Sequence, residues 1–127
     1  MSDTTTRGIR IVVKPQFVPE QSQPDRGHFF FAYHISIHND GEVSAQLLSR
    51  HWVITDGEGR TEEVRGAGVV GQQPMLKPGE HFEYTSACPL TTPVGTMHGS
   101  FHMVPAAGEP FEAAIAPFRL AVPRILN

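Results

Sequence analysis

The chain has 127 residues, 39% of them hydrophobic and 18% charged, with a formal net charge of −3. That length can bury the core of one ordinary domain, and the composition excludes a disordered or fibrous chain. The charge gives no electrostatic basis for tight binding to nucleic acid or acidic membranes, and a single cysteine, Cys88, excludes an internal disulfide and a thiolate-built zinc site.

The opening "MSDTTTRGIRIVV" has no basic start leading into an apolar run and a small-residue cleavage site. Residues 1–8 read as a flexible lead to a single domain spanning 1–127. In "GIRIVVKPQFV", Ile9, Ile11 and Val13 share one face of an extended segment. "PEQSQPDRG", residues 19–27, is a polar loop. "HFFFAYHISIHN" alternates Phe29, Phe31, Tyr33, Ile35 and Ile37 against polar or small residues. This longest apolar stretch is far short of the roughly 20 residues of a membrane helix, so the reading expects a cytoplasmic protein without membrane insertion.

Turn chemistry at "NDG" precedes "VSAQLLSRHWVITD", in which Leu48, Trp52 and Ile54 share one parity and Leu47 and Val53 the other. The first half of that segment also admits a helix. "GEGR" is a loop and "TEEV" a short polar strand. Pro78-Gly79 stands in type II turn order. Phe82, Tyr84 and Ser86 share a face, as do Met97, Phe101 and Met103, and "FEAAIAPFRL" closes the chain with Pro117 suited to an edge strand. Seven to eight short strands between turns predict an all-β fold, an immunoglobulin or fibronectin type III-like sandwich of two antiparallel sheets. A small barrel is the alternative. Trp52 is the expected central core aromatic of the sandwich.

Between these strands, "GAGVVG" has the Gly66-x-Gly68-x-x-Gly71 spacing of a dinucleotide-binding loop. Such a loop works because a helix follows it and presents free N–H groups to the pyrophosphate. Here Pro74 and Pro78 fall where that helix would run, and the ribose-binding acid expected about 20 residues on is replaced by Ser86. The reading favours a tight crossing between the two sheets, with Val69 and Val70 plugging the core. Its alternative is an anion- or ligand-binding loop formed by Gly66, Gly68 and Gly71.

Seven histidines include the i, i+4 pairs His34/His38 and His98/His102. On a strand that spacing is about 13 Å, too long for one metal, and no carboxylate stands beside them in sequence. They read as residues of an outer sheet face. Ser86 and Ser100 lack a nucleophile-elbow context, and Cys88 before Pro89 reads as an apolar filler. No triad or paired-carboxylate arrangement emerges, so the expectation is no enzyme, no cofactor and no metal.

Trp52, Ile54 and Asp56, then Gly66, Gly68, Val69, Val70, Gly71 and Pro74, begin an ordered set. It continues through Pro78-Gly79-Glu80, Tyr84, Ser86, Thr92-Pro93, Gly95, Met97, Gly99 and Met103, and ends in "PFRLAVPRILN". This set resembles the ApaG family over essentially the whole chain, from about Ile9 to Asn127. Ala67 and Phe101 depart from it, standing where the family often has an acid and a tyrosine. The resemblance implies a fibronectin type III-like sandwich and, in bacteria, an association with cobalt tolerance and magnesium efflux without an established biochemical activity. In eukaryotes the domain occurs in an F-box protein and a polymerase-delta-interacting protein, where protein binding is inferred. The expectation is therefore a non-enzymatic binding module with a protein partner and no nucleic acid, its oligomeric state left open. The alternatives are phosphate, pyrophosphate or nucleotide binding at Gly66–Gly71, and direct binding of a divalent metal.

Overall fold

A computed structural model describes residues 1–123; residues 124–127, within the resembling segment "PFRLAVPRILN", lie outside the described residues. Strand alternation dictates the core. In β2 (Ile9–Phe17), Ile9, Ile11 and Val13 are buried. In β3 (Phe29–Asn39), Phe31, Tyr33, Ile35 and Ile37 are buried, and Ile11 pairs opposite Ile37. Residues 1–8, read from the sequence as a flexible lead, contain β1 (Ser2–Thr6), which pairs antiparallel with β2. The polar segment 19–27 folds into two 3₁₀ turns, Pro19–Gln21 and Pro24–Arg26.

The helix alternative for the next segment loses to pairing on both sides. It forms β4 (Ala45–Asp56), bonded to β5 (Thr61–Ala67), to the two-residue β6 (Met75–Leu76) and to β8 (Val94–Pro105). A bulge between Leu47 and Ser49 shifts the register, so Leu47 and Trp52 both face the core despite opposite parity. β7 (His81–Leu90) pairs with β3, and β9 (Phe111–Ala121) with β8. In β9, Ala116 and Pro117 fall in a second register shift, on an edge strand where a missing N–H costs no ladder bond.

The result is a sandwich of two antiparallel sheets, ordered β1-β2-β3-β7 and β5-β4-β8-β9, with β6 alongside β4. Among the described residues nine strands form, against the seven to eight expected, because the polar β1 and the very short β6 carry little apolar alternation. Trp52 lies at the centre of the core, 3% exposed, with edge-on contacts to Tyr33, Phe101 and Phe118. Among the described residues no helix is long and apolar enough to cross a membrane.

The glycine loop is not the sheet-to-sheet crossing. It joins β5 to β6 within one sheet, and the Lys77–Glu80 turn, with Gly79 at φ +85° and Glu80 N–H bonded to the Lys77 carbonyl, leads across to β7. Val69 is buried as expected, whereas Val70 is 53% exposed. The reason is the tight turn: Val69 and Gln72 exchange backbone hydrogen bonds at 2.8 and 2.9 Å, which puts Val70 and Gly71 at its tip.

Candidate ligand-binding cleft

The two edges of the sandwich differ. On one side β9 lies against β1 and β2. On the other, β5 and β7 are the free edges of their sheets, and a cleft of about 320 Å³ opens between them. Tyr33, Arg50, Trp52, Val70, Tyr84 and Ser86 are among its lining residues, with Val69, Cys88 and Met97 also in its walls. Concave sites of this size, apolar with a few convergent polar groups, are the usual form of small-ligand pockets.

Arg50 enters the cleft because it shares the inward parity of Trp52 on β4. Its Nη1 donates to the carbonyls of Ala67 and Gly68 at 3.0 and 2.9 Å. To reach them the guanidinium crosses directly over Gly66, its register partner on β5. A Cβ at Gly66 would stand 2.7 Å from Arg50 Nη2 and 2.8 Å from Cζ. The first glycine of the motif is thus the space through which an arginine passes.

The other two glycines serve the turn. Gly68 has φ +63°, and a Cβ there would lie 2.3 Å from the Gln72 carbonyl oxygen. Gly71 has φ +77° and faces open space. Val70 between them has φ +43°, a region that β-branched residues rarely occupy. Two successive positive φ values at the centre of a two-residue connection are the mark of a type I′ turn. Gly66, Gly68 and Gly71 thus shape the loop whose Val69 and Val70 line the cleft, do not line it themselves, and face no helix N-terminus. The loop turns two carbonyls towards Arg50.

Tyr84 on β7 is 9% exposed, and its hydroxyl is buried with no hydrogen-bond partner among the described residues. Burial, reinforced by neighbouring Tyr33, raises its pKa far above that of an ordinary phenol, with Arg50 acting in the opposite direction. Burial also raises Tyr33, partly offset by the Ser86 hydroxyl. The Cys88 thiol is pushed up to about 11, by burial first and the charge of Glu62 second. Its burial, with the residue 5% exposed, fits the apolar filler that the sequence suggests.

The histidines lie elsewhere, and the fold gives His34, His51, His81 and His102 carboxylate neighbours that their sequence spacing hides. Across strands, His34 meets Glu83 at 2.8 Å and His51 meets Glu63 at 2.7 Å, while His102 pairs with Glu112. His81, stacked on His38, also reaches Glu83 at 3.2 Å. Among the described residues no group of three or more His, Cys, Asp or Glu is placed to hold a metal ion.

Sequence reading selected the glycines and missed Arg50 and Tyr84 as site residues. The available signal was Arg50 itself, a cation on the face that Trp52 assigns to the core.

Residues 19–105 match the family model of the ApaG domain. The chain is 58% identical over 119 residues to protein ApaG of Bordetella pertussis, covering 94% of this chain and 91% of that protein. It is 56% identical to protein ApaG of Dechloromonas aromatica over 127 residues, the full length of both. Among solved structures, the putative ApaA protein from Bordetella pertussis superposes with a TM-score of 0.89 at 58% identity, covering 92% of this chain and 95% of that one. With family model, relatives and structure in agreement, the chain belongs to the ApaG family.

Proposed function

We propose that this chain is a non-enzymatic binding module, acting in the cytoplasm, that holds a protein partner at the opening between β5 and β7. The observation that carries the reading is Val70, a β-branched residue at φ +43°, 53% exposed, on the rim of the cleft. Such backbone strain costs on the order of 1–3 kcal/mol and concentrates at ligand clamps and binding loops. The flanking edge strands add a second support, since an extended segment can pair with a free strand edge. Within the cleft the Cys88 thiol and the Tyr84 phenol are both held protonated by burial, which fits recognition better than nucleophilic chemistry. On this reading, the family's association with cobalt tolerance and magnesium efflux runs through the partner.

A photo-crosslinking residue at Val70 tests the proposal against the same residue at Lys14, on the exposed surface of β2. The expected result is a saturable protein crosslink from position 70 and none from position 14. Equal labelling from both positions, or none from either, removes the opening from consideration as the docking site.

A second reading has one observation in its favour. The N–H groups of Val70 and Gly71 form no hydrogen bond among the described residues, and Arg50 lies beside the same loop. Phosphate, pyrophosphate or a nucleotide bound at Gly66–Gly71 would use those donors. Amide shifts at residues 66–71 on adding pyrophosphate would support it, and their absence would dismiss it.

A further inference from the structure

We infer that the cleft recognises a carboxylate carried on an apolar body, with Arg50 and the Tyr84 hydroxyl as its donors. The inference rests on the binding-module reading only in taking the cleft as the occupied site.

Arg50 differs from the other arginines near acids. Arg10 meets Asp3, Arg60 meets Asp56 and Glu58, and Arg65 meets Glu63. Arg50 meets no carboxylate among the described residues, although it is half-buried and would gain most from one. Only its Nη1 is committed, to two carbonyls. Nε and Nη2 donate to nothing among the described residues. Those two groups form one side of the guanidinium fork, the spacing that grips both oxygens of a carboxylate.

Tyr84 supplies an independent pointer. Its hydroxyl is buried, lacks a partner, and belongs to a residue lining the same cleft. A buried donor left unmade is expensive and rare in native proteins. Because burial raises its pKa, the hydroxyl remains a donor across the physiological range. An anion between Arg50 and Tyr84 would satisfy both.

Charge and size narrow the ligand. One arginine balances one negative charge, whereas a pyrophosphate brings at least two into a cleft that already feels Glu62. Trp52, Val69 and Met97 offer apolar walls, and about 320 Å³ has room for one aromatic-sized group. The carboxylate has two possible sources, a free small acid or the C-terminus of a partner's chain. Both present the same chemistry.

Titrations of the isotope-labelled chain followed by NMR test this, with four probes: N-acetyl-phenylalanine, its amide, a pentapeptide ending in phenylalanine with a free carboxylate, and the same peptide amidated. Saturable shifts at Val70, Tyr84 and Ser86 are expected with the free acids, weakened about tenfold or more by amidation. Tyr84→Phe should melt like the parent, because its hydroxyl bonds nothing, yet lose about tenfold in affinity. Arg50→Lys keeps the charge but loses the fork, and should weaken binding at least as much. Binding of the peptide alone assigns the partner's C-terminus, and binding of the small acid alone assigns a metabolite-like ligand. Equal affinity for acid and amide, no shift with either, or parent-like binding by Tyr84→Phe overturns the inference. If crosslinking at Val70 persists in that event, the module reading survives without it.

Discussion

Along one long side of the sandwich β9 lies against β1 and β2, and the Ala114 N–H reaches Thr6 Oγ1 at 3.2 Å. Along the other side β5 and β7 stand apart, and the cleft between them reaches Trp52 and Met97. The residues behind each side differ accordingly. β2 contributes Ile9, Ile11 and Val13 to the closed side, while Tyr33, Trp52 and Tyr84 stand behind the open one. Aliphatic side chains interdigitate and exclude water, whereas aromatics with polar tips can stand at a boundary that is part apolar and part wet. The same fold thus seals one flank and leaves the other open.

The largest effects should come from deleting one core side chain on each flank. Trp52→Ala should cost about 3–5 kcal/mol, and Ile11→Ala about 2–5 kcal/mol. The two should nevertheless be close, although tryptophan loses far more atoms. The space left by Trp52 joins a cleft open to solvent and can hydrate, while the space left by Ile11 is sealed. Urea denaturation of both variants measures this. A cost for Trp52→Ala several times that of Ile11→Ala would mean that the open flank packs as tightly as the closed one.

Next in size is the turn that frames the opening. Gly68→Ala combines a positive φ with a contact of 2.3 Å to a backbone oxygen, so it should cost about 2–4 kcal/mol. Gly71→Ala meets only the φ penalty, about 1–2 kcal/mol. Thermal melts of the pair should keep that order. Equal melting temperatures would show that the loop relaxes freely and that its glycines carry no steric role.

Cys88 reports whether water reaches the floor of the cleft. With its thiol at about 11 rather than an ordinary 9, the thiolate fraction at pH 8 falls about a hundredfold. Iodoacetamide should therefore react about a hundredfold more slowly than with a free cysteine. The linkage has the same sign: a raised thiol pKa gives stability that is present below about pH 9 and lost as pH rises towards 11. Fast alkylation at pH 8 without unfolding would indicate a wet cleft floor.

What the sequence reveals follows the same division. Ile9, Ile11 and Val13, and Phe31 through Ile37, alternate without interruption, so their strands are legible from period alone. β4 is less so, because the bulge between Leu47 and Ser49 reverses parity between Leu47 and Trp52; Arg50 keeps the parity of Trp52, and it is its charge that argues against an inner face. β1 carries no apolar alternation and is held by its pairing with β2. The glycine spacing is visible but its meaning is not, since the three glycines act separately: room for an arginine, clearance from a carbonyl, and a turn angle. None of these is a property of the spacing itself: Gly66 depends on the register that places Arg50 over it, whereas Gly68 and Gly71 answer to the local geometry of the turn.

The smallest effect expected is a gain. Val70 holds φ +43° with a branched side chain, and glycine would occupy the same backbone without the steric penalty. Against that relief stand the greater freedom of an unfolded glycine and whatever contact the valine makes, which is limited because it is 53% exposed. Val70→Gly should therefore raise stability slightly, by about 0.5–1 kcal/mol, within the range seen when a strained residue is matched to its backbone. An exposed strand residue with ordinary φ, such as Lys14 on β2, should lose stability or stay level on the same change to glycine. If valine is kept at the turn for recognition, Val70→Gly should also be the variant that folds better and captures its partner worse. A variant that loses stability would show that Val70 packs usefully at the rim, and the strain argument for this flank would fail with it.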